Sequence, residues 1–351
     1  MSGRQRKTFL LIVKCLIAVG LLAWLVSKVH LRDSIQTIDG REEAVPGLLT
    51  IAEGLIWPLL VLGALCFLVS MMIIIVRWWM LLRIQRIRVP LWEAARLTFL
   101  GQFFNTVAPG AVGGDLVKAY YVSKHTPKKA AVLVSIFVDR VMGLTELTLL
   151  AGVMVCVTLA TGRPFEQIRD AAVITAIVLA AVVFILTFLL SRRFRAVFRL
   201  QRLYQRLPIA HHIRAAGDAA VLYRKRLAVL VRAVLMTVGA HIAFVGAIAL
   251  VGESLSLPVA WHVYFLYVPL IYIIGAVPIS PGGVGVIEAA YFHFFVHLEG
   301  CGASQAFALA VLARLIPIFW GLPGAVVAVR GPRLPRSEAI ERELGLGPGG
   351  R

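Results

Sequence analysis

Pro109-Gly110-Ala111-Val112-Gly113-Gly114-Asp115 and Pro281-Gly282-Gly283-Val284-Gly285-Val286-Ile287-Glu288 are two breaks in an otherwise apolar chain, and each ends on an acid. Both are embedded in stretches apolar enough to lie in a bilayer. Backbone that leaves a helix at membrane depth is tolerated only where protein buries it or where it lines a cavity. Paired breaks in the two halves of a membrane chain therefore point to a binding site between them. Their glycines let backbone N–H groups approach an anion, and a helix starting after Gly114 or Gly285 would aim its positive end at that anion. The alternative is a tight turn with close helix packing. The shared Pro-Gly-Gly-acid composition fits an internal repeat, although the spacings differ.

The chain around these breaks has 351 residues, of which 60% are hydrophobic, and a mean hydropathy of +0.86. A water-soluble fold could not hide so much apolar surface, so the expected class is an all-α polytopic membrane protein. No segment is long and polar enough for a separate soluble catalytic domain. The division is a membrane domain over 1–330 and a basic, disordered tail over 331–351. Net charge is +18. It is spread over loops between spans and forms no basic folded face, which argues against nucleic acid and for anionic lipid headgroups as partners. Cys15, Cys66, Cys156 and Cys301 form no CxxC pair and read as small core residues.

Crossing the hydrocarbon takes about 20 apolar residues. Eight candidate spans cover 8–27, 55–76, 130–160, 171–190, 228–251, 259–278, 284–300 and 303–329. The first reads as an uncleaved signal anchor. The stretch 97–122, broken at Pro109, reads as a re-entrant hairpin or broken helix, and 284–300 is short enough to be half of a second one. Positive charge sets orientation. Arg4, Arg6 and Lys7, then Arg77, Arg83, Arg86 and Arg88, then Lys124, Lys128 and Lys129, and finally Arg330, Arg333 and Arg336 are expected on the cytoplasmic side. The 28–54 loop, with Asp33, Asp39, Glu42, Glu43 and Glu53, is expected outside. Both termini are then cytoplasmic. Within 191–227, Arg195, Arg199, Arg202 and Arg206 share one helical face, which reads as an interfacial helix in the headgroups or a solvated cytoplasmic one.

An ionisable group at the bilayer centre costs about 2.5–3.5 kcal/mol on insertion scales, so each one needs a reason. Asp139 and Arg140 sit together, and Glu146 falls seven residues on, on nearly the face of Asp139. Arg314 has no acid near it in sequence, Glu288 follows the second break, and Lys14 can snorkel. One reading is a polar cavity in which Arg140 and Arg314 fork onto a phosphate, while Asp115, Asp139, Glu146 and Glu288 hold the arginines or carry protons. The other is ion pairing that locks helices together. No enzyme signature is present. His293 and His297 are spaced i, i+4 without an HExxH, His241 reads as a satisfied core histidine, and there is no P-loop, GxSxG or dinucleotide fingerprint. No catalytic residue, metal or cofactor is expected.

The run Gly101-Gln102-Phe103-Phe104-Asn105-Thr106-Val107-Ala108-Pro109-Gly110-Ala111-Val112-Gly113-Gly114-Asp115-Leu116-Val117-Lys118-Ala119-Tyr120-Tyr121 resembles the signature of the lysylphosphatidylglycerol synthase transmembrane (flippase-like) family. So do Asp139-Arg140-Val141-Met142-Gly143 and Pro278-Ile279-Ser280-Pro281-Gly282-Gly283-Val284-Gly285-Val286-Ile287-Glu288-Ala289-Ala290. The resemblance covers roughly 8–330. Lys118 stands where the family favours Arg, which keeps the charge but not the bidentate fork. In two-part members the membrane region moves a lysylated phospholipid and a C-terminal soluble domain makes it. A chain ending at Arg351 is expected to carry the transport half alone.

These readings combine into a translocase of the bacterial inner membrane that moves a phospholipid or other phosphate-bearing lipid. Its candidate binding residues are Asn105, Pro109, Gly113, Gly114, Asp115, Lys118, Asp139, Arg140, Glu146, Pro281, Gly282, Gly283, Gly285, Glu288 and Arg314. The alternative is an integral-membrane enzyme or accessory subunit in glycolipid or lipid-linked precursor assembly. A third reading is a scaffold that docks a synthase through 191–227.

Overall fold

The computed structural model describes residues 3–38, 41–107, 113–126, 129–190, 227–277 and 279–330. The basic helix expected within 191–227, the tail 331–351 and residues 108–112 of the first break, Pro109 among them, lie outside the described residues.

Helix α1 (Gly3–Val26) leads through a two-stranded antiparallel ribbon, β1 (Ser34–Ile38) and β2 (Arg41–Val45), to the short α2 (Leu48–Glu53). Then follow α3 (Trp57–Ile84), α4 (Leu91–Val107), α5 (Gly113–Ser123), α6 (Lys129–Ala160) and α7 (Phe165–Leu190). The remainder is α8 (Leu227–Ser254), α9 (Trp261–Ala276), a 3-10 turn (Pro281–Gly283), α10 (Val286–Tyr291), a π-helical segment (Phe292–Leu298) and α11 (Ala303–Arg330). The protein is an all-α polytopic membrane protein apart from the ribbon. Among the described residues, α3, α6, α7, α8 and α11 are long and apolar enough to cross a membrane. They leave Val61, Leu65, Ile177, Val183, Leu235, Ile242, Phe319 and Leu322 exposed. So wide an apolar exterior would be an aggregation surface in water and is the lipid face in a bilayer.

The ribbon connection is held at its base by Asp33, whose Oδ1 accepts the Gly47 N–H at 2.8 Å and the Thr50 hydroxyl at 2.6 Å. These bonds, the Gly47 one first, hold the Asp33 carboxyl below its ordinary value. A depressed carboxyl stabilises the fold above its unfolded value of about 3.9, and that contribution is lost as pH falls through the lower folded value. Asp33→Asn removes it at all pH, so proteolytic nicking between 30 and 50 should be faster than in the wild type at pH 7. Equal nicking rates would refute the role.

Two helical hairpins are built from elements too short to cross alone. At 1.5 Å per residue α4 is about 25 Å long, α5 about 16 Å and α9 about 24 Å, against about 30 Å of hydrocarbon. In the first hairpin α4 and α5 run antiparallel with their backbones nearly touching. A Cβ at Gly101 would lie 3.1 Å from the Gly114 carbonyl oxygen, and one at Gly114 would collide with the Gly101 carbonyl oxygen. The collision partner is backbone and cannot rotate away. Gly114→Ala should therefore destabilise the protein by about 1–3 kcal/mol, the usual cost of overpacking. A denaturant titration showing no change would sink this account of the contact.

In the second hairpin, α9 packs along α10 and the π segment. Gly275 faces Ile287, Tyr267 stacks on Phe294 at 4.8 Å, and Tyr264 meets Phe295 at 5.3 Å. The chain reverses through Gly282, Gly283 and Gly285 at φ of 60°, 68° and 81°. A side chain is strained in that left-handed region, so these positions need glycine. The 284–300 stretch is thus a hairpin arm made of a six-residue helix and a π segment.

Helix α11 lies against both hairpins. Gly324 meets the Phe99 carbonyl of α4 backbone to backbone, while Arg314 reaches the second break. Helix α1 covers the far side of α10, with Leu21 against Gly285 and Trp24 against Phe292. Elsewhere α3 and α8 form the tightest full-length pair, with Gly63 of α3 seated on the Ala247 carbonyl. Helix α3 continues to Ile84, well beyond the boundary at 76 expected from the sequence. Arg77 is therefore inside a helix and only 4% exposed. It is tolerated there because Asp139 compensates its charge.

Candidate functional site

The end of α4, the second break and α11 line a cleft of about 400 Å³. Gln102, Asn105 and Thr106 of α4 line one side, Pro281 and Gly282 of the second break another, and Ala313, Arg314 and Pro317 of α11 a third. Cys15 of α1, Tyr272 of α9 and the apolar Val284 and Ile287 also line it. The sequence places these residues in separate elements. The hairpin geometry brings them together. Pro317 sits inside α11 and has no N–H, so the Ala313 carbonyl has no donor from the helix.

Arg314 is the cation of this cavity. Its Nε bonds Glu288 Oε1, and its two Nη groups donate to the carbonyls of Gly282 at 3.2 Å and Gly283 at 3.3 Å. Glu288 Oε2 accepts the Gly285 N–H at 2.7 Å. Glu288 is 4% exposed and Arg314 is 27% exposed. One acid thus caps α10 and anchors an arginine of another helix, and that arginine fixes the carbonyls of the break. A guanidinium has five N–H donors, and three are used here.

The first break repeats this logic with different residues. Gly114 N–H donates to Asn105 Oδ1 at 2.9 Å, closing the hairpin. Asp115, in the first turn of α5, pairs with Arg140 of α6 at 2.6 Å and lies 3.9 Å from Lys118 Nζ. Lys118 also lies over the Trp78 ring at 5.1 Å. In both breaks an N–H that could have met an anion is already used, by Asn105 or by Glu288. Each acid instead recruits an arginine from another helix. Arg140 keeps 56% of its side chain exposed and does not line the cavity.

A third cluster lies between α3, α6 and α8. Arg77 binds Asp139 through Nε at 3.0 Å and Nη2 at 2.8 Å, and donates to Thr237 Oγ1 at 2.7 Å. Glu146 and the Nδ1 of His241 are buried here without a hydrogen-bond partner. His241 is therefore not the satisfied core histidine expected from the sequence. The candidate residues thus divide into the cavity (Asn105, Pro281, Gly282, Arg314), its support (Gly114, Gly283, Gly285, Glu288), and two ionic clusters outside it (Asp115, Lys118 and Arg140; Asp139 and Glu146). Gly113 opens α5. Thr237, Gln102 and Tyr272 were not singled out as site residues from the sequence, and Arg77 was read only as a flanking charge. The signal for Arg77 is there, since Trp78-Trp79-Met80-Leu81-Leu82 continues the apolar run beyond it. Ser280 adds a buried hydroxyl with no partner.

The paired histidines do other work. His293 Nε2 lies 3.1 Å from Asp170 at the start of α7, and His297 packs edge-on to Phe292. No group of three potential metal ligands occurs among the described residues. All four cysteines are free, with only Cys301 buried.

The profile of the lysylphosphatidylglycerol synthase TM region matches residues 11–324, and the chain belongs to that family. No curated protein matches it. The match spans both hairpins, all five long apolar helices up to Gly324 and every cluster described above.

Proposed function

We propose that this member of the family is a lipid translocase, moving a phosphate-bearing headgroup across the bacterial inner membrane while the acyl chains stay in lipid. The observation that carries this reading is the convergence of the second break, the end of α4 that leads into the first break, and Arg314 on one cavity. Its volume lies at the small end of the range for small-molecule sites, about 300–1,000 Å³. That suits a headgroup. The two unused N–H donors of Arg314 match a phosphate oxygen pair, and Asn105, Gln102 and Thr106 supply neutral hydrogen bonds around it. The hairpins are too short to cross and would re-enter on one face. With that arrangement the positive-inside rule leaves both termini cytoplasmic.

The test is lipid movement in proteoliposomes, with headgroup-labelled phosphatidylglycerol, its lysylated form and a polyprenyl phosphate offered separately. Thr106→Trp places an indole at the cavity from an exposed position. It should leave folding intact and lower the rate of the transported lipid at least about tenfold, equivalent to about 1.4 kcal/mol on the barrier. If well-folded wild type moves none of the three, the translocase reading fails. If it returns a chemically altered lipid, the function is enzymatic.

A further inference from the structure

Among the described residues, Asp115, Asp139, Glu146 and Glu288 lie in the apolar interior, and the structure separates one from the rest. Asp115 is held by Arg140 and Lys118, Asp139 by Arg77, and Glu288 by Arg314 and the Gly285 N–H. Each has a cation within ion-pair distance. Glu146 is 7% exposed, and neither carboxyl oxygen makes a hydrogen bond of good geometry; Thr237 is the hydroxyl nearest to giving one. Its neighbours are already committed. Thr237 gives its hydroxyl hydrogen to the Ala233 carbonyl and accepts from Arg77, and Arg77 is turned to Asp139 and Thr237.

We infer that Glu146 carries a proton in this conformation and is the proton-binding site of the transport cycle, with Arg77 as the cation that receives its carboxylate when the proton leaves. The inference rests on the translocase reading for its second half only. A bare carboxylate with no donor in a low-dielectric interior is far costlier than the neutral acid. Arg77 is the cation it faces from α3, and Asp139 shares its own helix face. Lys118 of α5 interacts with Asp139 and Arg77 but not with Glu146 directly, and from α8 come Thr237, and His241, which also faces Arg77. Helix α9 brings no Asp, Glu, Lys or Arg; its titratable side chains are His262, Tyr264, Tyr267 and Tyr272. Helix α7 has none beyond Asp170. Taken together, the two adjoining clusters, Asp115, Lys118 and Arg140 with Asp139 and Arg77, hold one more cation than anion while Glu146 is neutral. Losing the proton would balance it, and would place Glu146 and Asp139 in competition for Arg77. That competition is a two-position switch between α3 and α6, next to the Asp139–Arg140 step that leads to the first hairpin.

Infrared difference spectroscopy of the full chain in lipid nanodiscs tests the first half. At pH 7 the wild type should show the carbonyl stretch of a protonated carboxyl, shifted by deuterium exchange. Glu146→Asp should keep the band and Glu146→Gln should lose it. The same band in Glu146→Gln, or none in the wild type, overturns the proposal. So does a Glu146→Gln protein that fails to fold, because Gln reproduces the shape and neutrality of the acid. Proteoliposomes test the second half. A one-unit proton gradient should bias wild-type lipid distribution by up to about tenfold per proton, and Glu146→Gln should ignore the gradient. Wild-type movement indifferent to the gradient overturns the coupling. No lipid movement alongside an intact infrared band defeats the translocase reading and leaves the proton site standing.

Discussion

Arg314→Ala should destabilise the protein by about 3–5 kcal/mol, the cost of leaving the buried partner of an ion pair uncompensated, and should stop lipid movement. Three things fail together. Glu288, 4% exposed, loses its cation. The carbonyls of Gly282 and Gly283, in a turn of left-handed glycines, lose their donors. The cavity loses its charge. Stability and function are separable by a second variant. In Arg314→Met with Glu288→Gln no charge is stranded, and the carboxamide oxygen that replaces the carboxylate can still accept the Gly285 N–H. This pair should recover most of the stability. It should remain inactive if the guanidinium meets the headgroup phosphate. A double variant that both folds and moves lipid would reduce Arg314 to a structural tie.

The break glycines show how much of this was legible in the sequence. Pro281-Gly282-Gly283 followed by Gly285 cannot continue a helix, and an acid three residues after Gly285 is the chemistry of a helix start. The reversal and its cap could both be read from residues alone. The partner of Glu288 could not. Arg314 lies 26 residues on, and no local pattern links them. Only packing of α11 against both hairpins makes the pair. Asp115–Arg140 is the same case at a separation of 25 residues.

Hydropathy placed the long spans well because α3, α6, α7, α8 and α11 have uniformly apolar windows. It ended the second span at 76, because one charge in an averaging window looks like the end of a span, whereas the helix continues to Ile84. The burial that rescues that charge comes from Asp139, 62 residues away. The ribbon was missed for a related reason. Asp39-Gly40 is a hairpin signal, but a search for long apolar runs passes over two strands of five residues each. The separation of Arg140 from the cavity follows from helix direction. Residues 139 and 140 point to different neighbours, Asp139 to Arg77 and Arg140 to Asp115, and neither lines the cavity.

Asp139→Asn should cost about 3–5 kcal/mol by leaving Arg77 buried without its anion, and this prediction separates two views of Arg77. As a charge flanking a span, it would act on topology alone, and a surface replacement such as Arg77→Gln would change stability by no more than about 0.5 kcal/mol. At 4% exposure and joined to Asp139 and Thr237, it behaves as one half of a buried pair. Arg77→Gln should then cost as much as Asp139→Asn, because Asp139 is 13% exposed and has no other cation within ion-pair distance among the described residues. Arg77→Met with Asp139→Leu should restore much of the loss, since an apolar pair of similar volume is often as stable as the ion pair it replaces. The measurement is a double-mutant cycle by denaturant titration in lipid nanodiscs. A coupling energy within about 0.5 kcal/mol of zero would return Arg77 to the membrane surface. A large one fixes α3 to α6 at the point where Glu146 would have to compete for the same guanidinium. In that case the restored apolar pair should fold well yet transport without response to pH, because the cation that receives the carboxylate is gone.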